Sequence, residues 1–283
     1  MSQIVSFTGH DGLDLKAASS GPSDGVPVLL VHGGGQTRRA WRRAADAIAA
    51  QGYHAIALDL RGHGESAWSD KGDYALSHFA KDILAVTAQI GGPPHYVGAS
   101  LGGLSGLIAE GDLNPGGFAS LTLVDITPNM SPEGVARITG FMAQHMEDGF
   151  ASAEDAADAI AAYTPHREKR GPSDSLKHYL RLGVDGRYRW HWDPAFITGI
   201  DADTSGATTR LETAARALRL PVHLVRGQSS DLVSPEAAQD FLKLVPHARY
   251  DDIAGTGHMV VGDRNDVFCD VILGFLKELA PAA

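Results

Sequence analysis

Short apolar runs bounded by Gly, Pro and Asp alternate along this chain with stretches whose apolar residues recur every three or four positions. The runs at 4–7 and 13–18 flank His10-Asp11-Gly12, a turn signal between β-compatible segments, and predict an opening antiparallel hairpin. After Gly21-Pro22 the pattern becomes strand then helix, repeatedly, with β-type runs at 28–31, 53–58, 95–99 and 121–124 and helix-type stretches at 38–51, 76–90 and 101–113. Such alternation predicts a mostly parallel sheet with helices on both faces. From 127 to 218 the strand signal nearly vanishes, and Ser131-Pro132-Glu133 and Ser152-Ala153-Glu154-Asp155 read as helix starts. The sheet pattern resumes at 221–225 and 248–253, with helices near 235–245 and 267–279. The expected fold is α/β, with eight strands, a core built from 1–126 and 219–283, and a helical segment at 127–218 inserted after strand 6. The heptapeptide Ala-Ala-Asp-Ala-Ile-Ala-Ala begins at both Ala44 and Ala156, but the flanks differ, so it reflects shared helical composition and no repeat.

With 283 residues and 43% hydrophobic content the chain can bury a sizeable core. The formal charge of −10, from 24 basic and 34 acidic residues without a dense Lys/Arg block, argues against binding nucleic acid or an anionic membrane. A small uncharged or apolar ligand suits this surface better. No signal peptide or membrane span is read from the N-terminal residues or elsewhere, and Cys269 is the single cysteine, so a cytoplasmic setting is expected. Oligomeric state is not legible.

Gly98-Ala99-Ser100-Leu101-Gly102 ends one apolar run and opens a small-residue helix. A serine there stands on a sharp strand-to-helix turn, and a larger side chain at Gly98 or Gly102 should collide with neighbouring backbone. A serine hydroxyl needs a base to take its proton, and the base needs a carboxylate to fix its tautomer. In such arrangements the acid and the histidine follow the serine, each on a loop after a strand. Asp231, in Gly227-Gln228-Ser229-Ser230-Asp231, and His258, in Gly255-Thr256-Gly257-His258, occupy those places, and Asp125, closing the run 121–124, is the reserve acid. His32-Gly33-Gly34-Gly35 follows the run 28–31, where the second oxyanion donor is expected, so the backbone N–H groups of Gly34 and Leu101 are the expected donors. A dinucleotide fingerprint built on the same glycines and Asp59 fails, because Arg38 stands where its third glycine is required. No H-E-x-x-H or cysteine–histidine cluster offers ligands to a catalytic metal, and no cofactor is expected; His63, His78 and His191 read as structural or surface groups.

Together, His32-Gly33-Gly34, Asp59-Leu60-Arg61-Gly62-His63-Gly64-Glu65-Ser66, the Ser100 pentapeptide, Asp231 and His258 resemble the α/β-hydrolase superfamily almost end to end. The D-x-R-G-x-G-x-S turn is characteristic of a branch with esterases, lactonases, epoxide hydrolases, carbon–carbon bond hydrolases and cofactor-free haloperoxidases. Ser100, where related epoxide hydrolases and haloalkane dehalogenases carry aspartate, sets those two activities aside. The resemblance implies a carboxyl-ester hydrolase acting on a small or medium uncharged or apolar ester through an acyl-enzyme. Lactonase, carbon–carbon hydrolase, perhydrolase and slow-turnover receptor readings remain open beside it. It also implies that 127–218 is a cap, within which Trp190, Trp192 and Phe141 are the candidate substrate-binding side chains, with packing anchors as the alternative role.

Overall fold

The computed structural model describes residues 2–163, 176–201, 206–257 and 265–279. In chain order the first part runs β1 (Gln3–Thr8), β2 (Asp14–Ser20), β3 (Pro27–Val31), α1 (Arg42–Ala49), β4 (His54–Leu58), α2 (Leu76–Ile90), β5 (His95–Ala99), α3 (Leu101–Ile108) and β6 (Ser120–Val124). The insertion follows with α4 (Pro132–Ala143), α5 (Ala153–Tyr163), β7 (Leu180–Leu182), β8 (Tyr188–Trp190) and α6 (Ala195–Asp201). Then come α7 (Ala207–Ala217), β9 (Val222–Gly227), α8 (Pro235–Leu244), β10 (Arg249–Ile253) and α9 (Asn265–Leu279).

The eight-stranded sheet has the order β1-β2-β4-β3-β5-β6-β9-β10. β1 and β2 form the expected hairpin, β2 runs antiparallel to β4, and the other neighbours are parallel. Because successive residues of a strand face opposite ways, each buried strand supplies two cores. Val28, Leu30, Ala55, Ala57, Val97 and Val225 pack with Trp41, Ile48, Phe268 and Ile272 from the α1 and α9 side. Leu29, Val31, Ile56, Leu58, Tyr96, Leu121 and Leu224 face the other way, into a cluster with Phe79, Ile83, Leu107, Leu211 and Phe241. No helix among the described residues is long and apolar enough to cross a membrane.

Two details depart from the sequence reading. The insertion contains a short antiparallel hairpin, β7 with β8, to which Phe150 adds a bridge through Tyr188. Three-residue strands rich in Arg, Tyr and Trp are too short to show a period-two pattern. The last helix of the expected cap, α7, packs on α3 and the turn after it, where a methyl group on Gly111 would lie 2.2 Å from the Ala214 carbonyl. The periodicity of α7, about 3.6 residues, gives no sign of which layer it packs on.

Candidate active site

The strand register sets the site. Ala99 pairs with Val124, and Val124 with Val225, so Ser100 and Asp125 are the next residues at the carboxyl ends of adjacent parallel strands. Neighbouring strands lie about 4.8 Å apart. Ser100 has φ 46° and ψ −118°, a backbone conformation that side chains rarely adopt, and its N–H donates to the Val124 carbonyl at 3.2 Å. The glycines beside it make this turn possible as expected: a methyl on Gly98 would lie 2.6 Å from the Gly102 carbonyl carbon, and one on Gly102 2.5 Å from the Val31 carbonyl oxygen.

The loop after β3 folds over Ser100. A methyl on Gly33 would stand 3.0 Å from Ser100 Cβ, while the Gly33 N–H is taken by Gln36 Oε1 at 3.1 Å and the Gly35 N–H by His63 Nε2 at 3.1 Å. Between them, the Gly34 N–H has no hydrogen-bond partner among the described residues, and neither has that of Leu101, the first residue of α3. The first of these amides lies in the loop after β3 and the second at the start of α3.

Three buried histidines fix this loop. His32 Nε2 accepts from the Leu60 N–H at 3.0 Å, while its Nδ1 donates to the Gly33 carbonyl at 2.8 Å. His63 Nδ1 donates to the Arg61 carbonyl, leaving Nε2 as the acceptor for Gly35. His191, from the segment after β8, accepts from the Gly64 N–H at 2.9 Å through Nδ1 and donates to the Gly35 carbonyl at 3.3 Å. Each ring is therefore neutral, and burial pushes His32 down to about 4, His63 to about 3 and His191 well below the ordinary value. The structural reading of His63 and His191 agrees with this. Asp59 serves the same turn: it accepts from the Arg38 and Glu65 N–H groups at 2.6 and 3.0 Å and pairs with the Arg38 guanidinium, a role that has nothing to do with a ribose.

The two candidate acids differ sharply. Asp125 is fully buried, and its carboxylate accepts from the Gly227 N–H at 3.0 Å and the Ser230 hydroxyl at 2.6 Å. Asp231, the expected acid, points elsewhere: its side chain is 37% exposed and pairs with Arg137 of α4 at 2.7 Å. Ser230 causes the divergence. Its hydroxyl donates to Asp125 and accepts from the Leu232 and Val233 N–H groups, a knot that turns the next residue outward against α4, where the Leu232 carbonyl accepts from the Ser131 N–H. His258 lies outside the described residues. The segment leading to it does not: Ser229 donates to the Thr256 carbonyl at 2.8 Å, and a methyl on Gly227 would meet the Gly257 carbonyl at 2.4 Å.

The inserted segment supplies an apolar wall. Trp190 and Trp192 stack with centroids 5.0 Å apart, and Phe141 meets Trp190 at 5.6 Å and stacks on Tyr163 at 4.2 Å. Trp190 also donates to the Gln144 carbonyl, an anchoring contact. Trp192 reaches further in: its Cζ3 would be 3.3 Å from a methyl on Gly35. A methyl on Gly34 would lie 3.3 Å from Phe196 Cζ and 3.8 Å from Met142 Cε, so these side chains stand beside the loop after β3. Phe196 escaped the sequence reading; its only signal was the Asp193-Pro194 helix start, with Asp193 Oδ1 accepting from the Ala195 N–H.

A serine on a strained turn at the carboxyl edge of a parallel sheet, beside two amides without a partner among the described residues, is the arrangement of a hydrolase class. The sequence model of the alpha/beta hydrolase family matches residues 28–271, and the chain belongs to that family. It is 31% identical to the esterase Rv0045c of Mycobacterium tuberculosis over 255 residues, covering 88% of this chain and 82% of that protein. It is 25% identical to a 3-hydroxybutyrate-oligomer hydrolase of Cupriavidus necator, covering 84% of each. A solved structure of the M. tuberculosis esterase superposes with a TM-score of 0.76 at 28% identity, covering 98% of this chain and 92% of that one.

Proposed function

We propose that this enzyme hydrolyses a small or medium, uncharged or apolar carboxylic ester through an acyl-enzyme. Ser100 attacks the ester carbonyl, His258 takes the serine proton and returns it to the leaving alkoxide, and the Gly34 and Leu101 N–H groups bind the oxyanion. Asp125 is the carboxylate that orients His258, in place of Asp231. Its burial and its bond to Gly227, which lies against Gly257, support that role, whereas the Arg137 pair occupies Asp231. Water then cleaves the acyl-enzyme with the same base. The names of the two relatives, an esterase and an oligoester hydrolase, favour ester chemistry. The apolar side chains Met142, Trp192 and Phe196 beside the oxyanion loop favour an apolar acyl or alkyl group.

The observation that carries this reading is the Ser100 backbone at φ 46° with unengaged amides on either side. Hydrolysis of a p-nitrophenyl ester series by wild type and Ser100→Ala tests it, with mass spectrometry after fluorophosphonate treatment. Wild-type turnover that falls at least about 10³-fold in the variant, with one adduct on Ser100, is the expected result. Full turnover by Ser100→Ala would reject the nucleophile; labelling without turnover would keep the nucleophile and reject the ester.

A further inference from the structure

We propose that the β1–β2 turn and the first turn of α2 together bind one divalent transition-metal ion, with His10 Nε2, His78 Nδ1 and Asp11 Oδ2 as ligands. The sequence offered no ligand motif because these residues come from two separate segments; the fold brings all three donor atoms within 4.8 Å of one another. His10 Nε2 and His78 Nδ1 are 3.3 Å apart. Two nitrogens on one edge of a tetrahedron with metal–nitrogen bonds of about 2.0–2.1 Å have that same separation. Asp11 Oδ2 lies 3.9 Å from His10 Nε2 and also accepts from Arg61 Nη1 at 3.2 Å, so its partly exposed carboxylate would close the third position by turning from the guanidinium toward the ion.

The histidine tautomer is already set for coordination. His10 Nδ1 lies 2.8 Å from Oδ1 of the buried Asp82, so it donates its proton there and leaves the Nε2 lone pair facing His78. A carboxylate behind a histidine in this way fixes the ring and raises its basicity as a ligand. A hydrogen bond from the His10 N–H to Asp82 holds the turn in register, and Gly9 is required there, since a methyl would lie 2.6 Å from Asp82 Oδ1. Arg61 stands 3.0 Å from His10 Nδ1 and is countered by Asp82 and Asp11, so these three side chains carry one net negative formal charge beside the rings. Two imidazoles with one carboxylate suit zinc, cobalt, nickel or copper and not magnesium or calcium. The partial exposure of His10 and Asp11 lets water complete the shell, so the ion would clasp the hairpin to α2.

The test is titration of the full-length protein with Co²⁺, read by visible absorption and by calorimetry. Wild type should bind one equivalent at this cluster with the intense bands of a four-coordinate ion, and His258→Ala should bind it equally. His78→Ala, on the partly exposed start of α2, and separately Asp11→Asn, should each weaken that binding at least about tenfold, the least that loss of even an outer partner typically costs. Circular dichroism establishes that the variants are folded. Unchanged affinity in His78→Ala and Asp11→Asn, loss in His258→Ala alone, or no binding by wild type overturns the proposal.

Discussion

At Asp125 the chain leaves β6 with φ 52°, and its N–H is held by the Val225 carbonyl at 2.7 Å, so the carboxylate projects from a backbone that cannot relax. A buried carboxylate with two donors has one orientation to offer a histidine. The exposed one at Asp231 is worth at most about 1 kcal/mol through its ion pair. Asp125→Asn should therefore lower kcat by roughly 10⁴, the scale seen when an amide replaces the acid of such a triad. Asp231→Asn should leave kcat within about fivefold and shift stability by no more than its ion pair is worth. Steady-state kinetics with melting curves on both variants decide this, and the reverse ranking returns the acid to Asp231. Chain order could not separate the two aspartates, because each follows a parallel strand. The Ser230 hydroxyl and the Arg137 guanidinium separate them, and both contacts form only after distant segments meet.

Among the elements, β5 and α3 are held by close backbone approach more than by side chains. Gly102→Ala would press a methyl against the Val31 and His32 carbonyls at 2.5 and 2.7 Å, neither of which can move without breaking the sheet edge. Overpacking of this kind costs about 1–3 kcal/mol or more, and urea unfolding should register it. Gly140→Ala is the counterpart, since that exposed α4 position has open space around its Cα; it should stabilise the protein by about 0.5–1 kcal/mol. A stabilised Gly102→Ala would mean that the turn has slack this geometry denies. The same two positions mark how far the elements were legible. Gly98 and Gly102 could be read because strand, turn and helix are continuous in sequence, and the apolar runs at 28–31 and 121–124 each lie within one strand. The β7–β8 hairpin and the place of α7 could not. Their stability comes from Tyr188 against Phe150 and from Ala214 against Gly111, pairings between segments with no local signature.

Over the whole molecule, the segment after β8 is joined to the sheet's loops through His191 and Asp193. The Asp193 N–H donates to the Gly62 carbonyl at 2.9 Å, and Tyr74 donates to the Asp193 carboxylate at 2.6 Å. His191 bonds to Gly64 and Gly35, so the segment after β8 is fastened to the turn after β4 and to the loop after β3 at once. The junction tolerates only neutral rings. Protonating His32, His63 or His191 sets a new N–H against a backbone N–H that the same nitrogen now accepts. All three have native values below the unfolded 6.5, His32 near 4 and His63 near 3. The unfolded chain therefore binds more protons as pH falls, so stability is complete above about pH 6.5 and is lost progressively toward pH 4. Each histidine can contribute up to about 1.4 kcal/mol per pH unit in that window. Melting temperatures measured from pH 7.5 to 4.5 should fall along a curve beginning near pH 6.5, ahead of the range where ordinary carboxylates titrate. His63→Gln, placing an amide where the ring bridges Arg61 and Gly35, should flatten the upper part of that curve while lowering Tm at neutral pH. A wild-type curve level down to pH 5 would mean that these rings are not held neutral, and that the segment after β8 is fastened to the loop after β3 by something else.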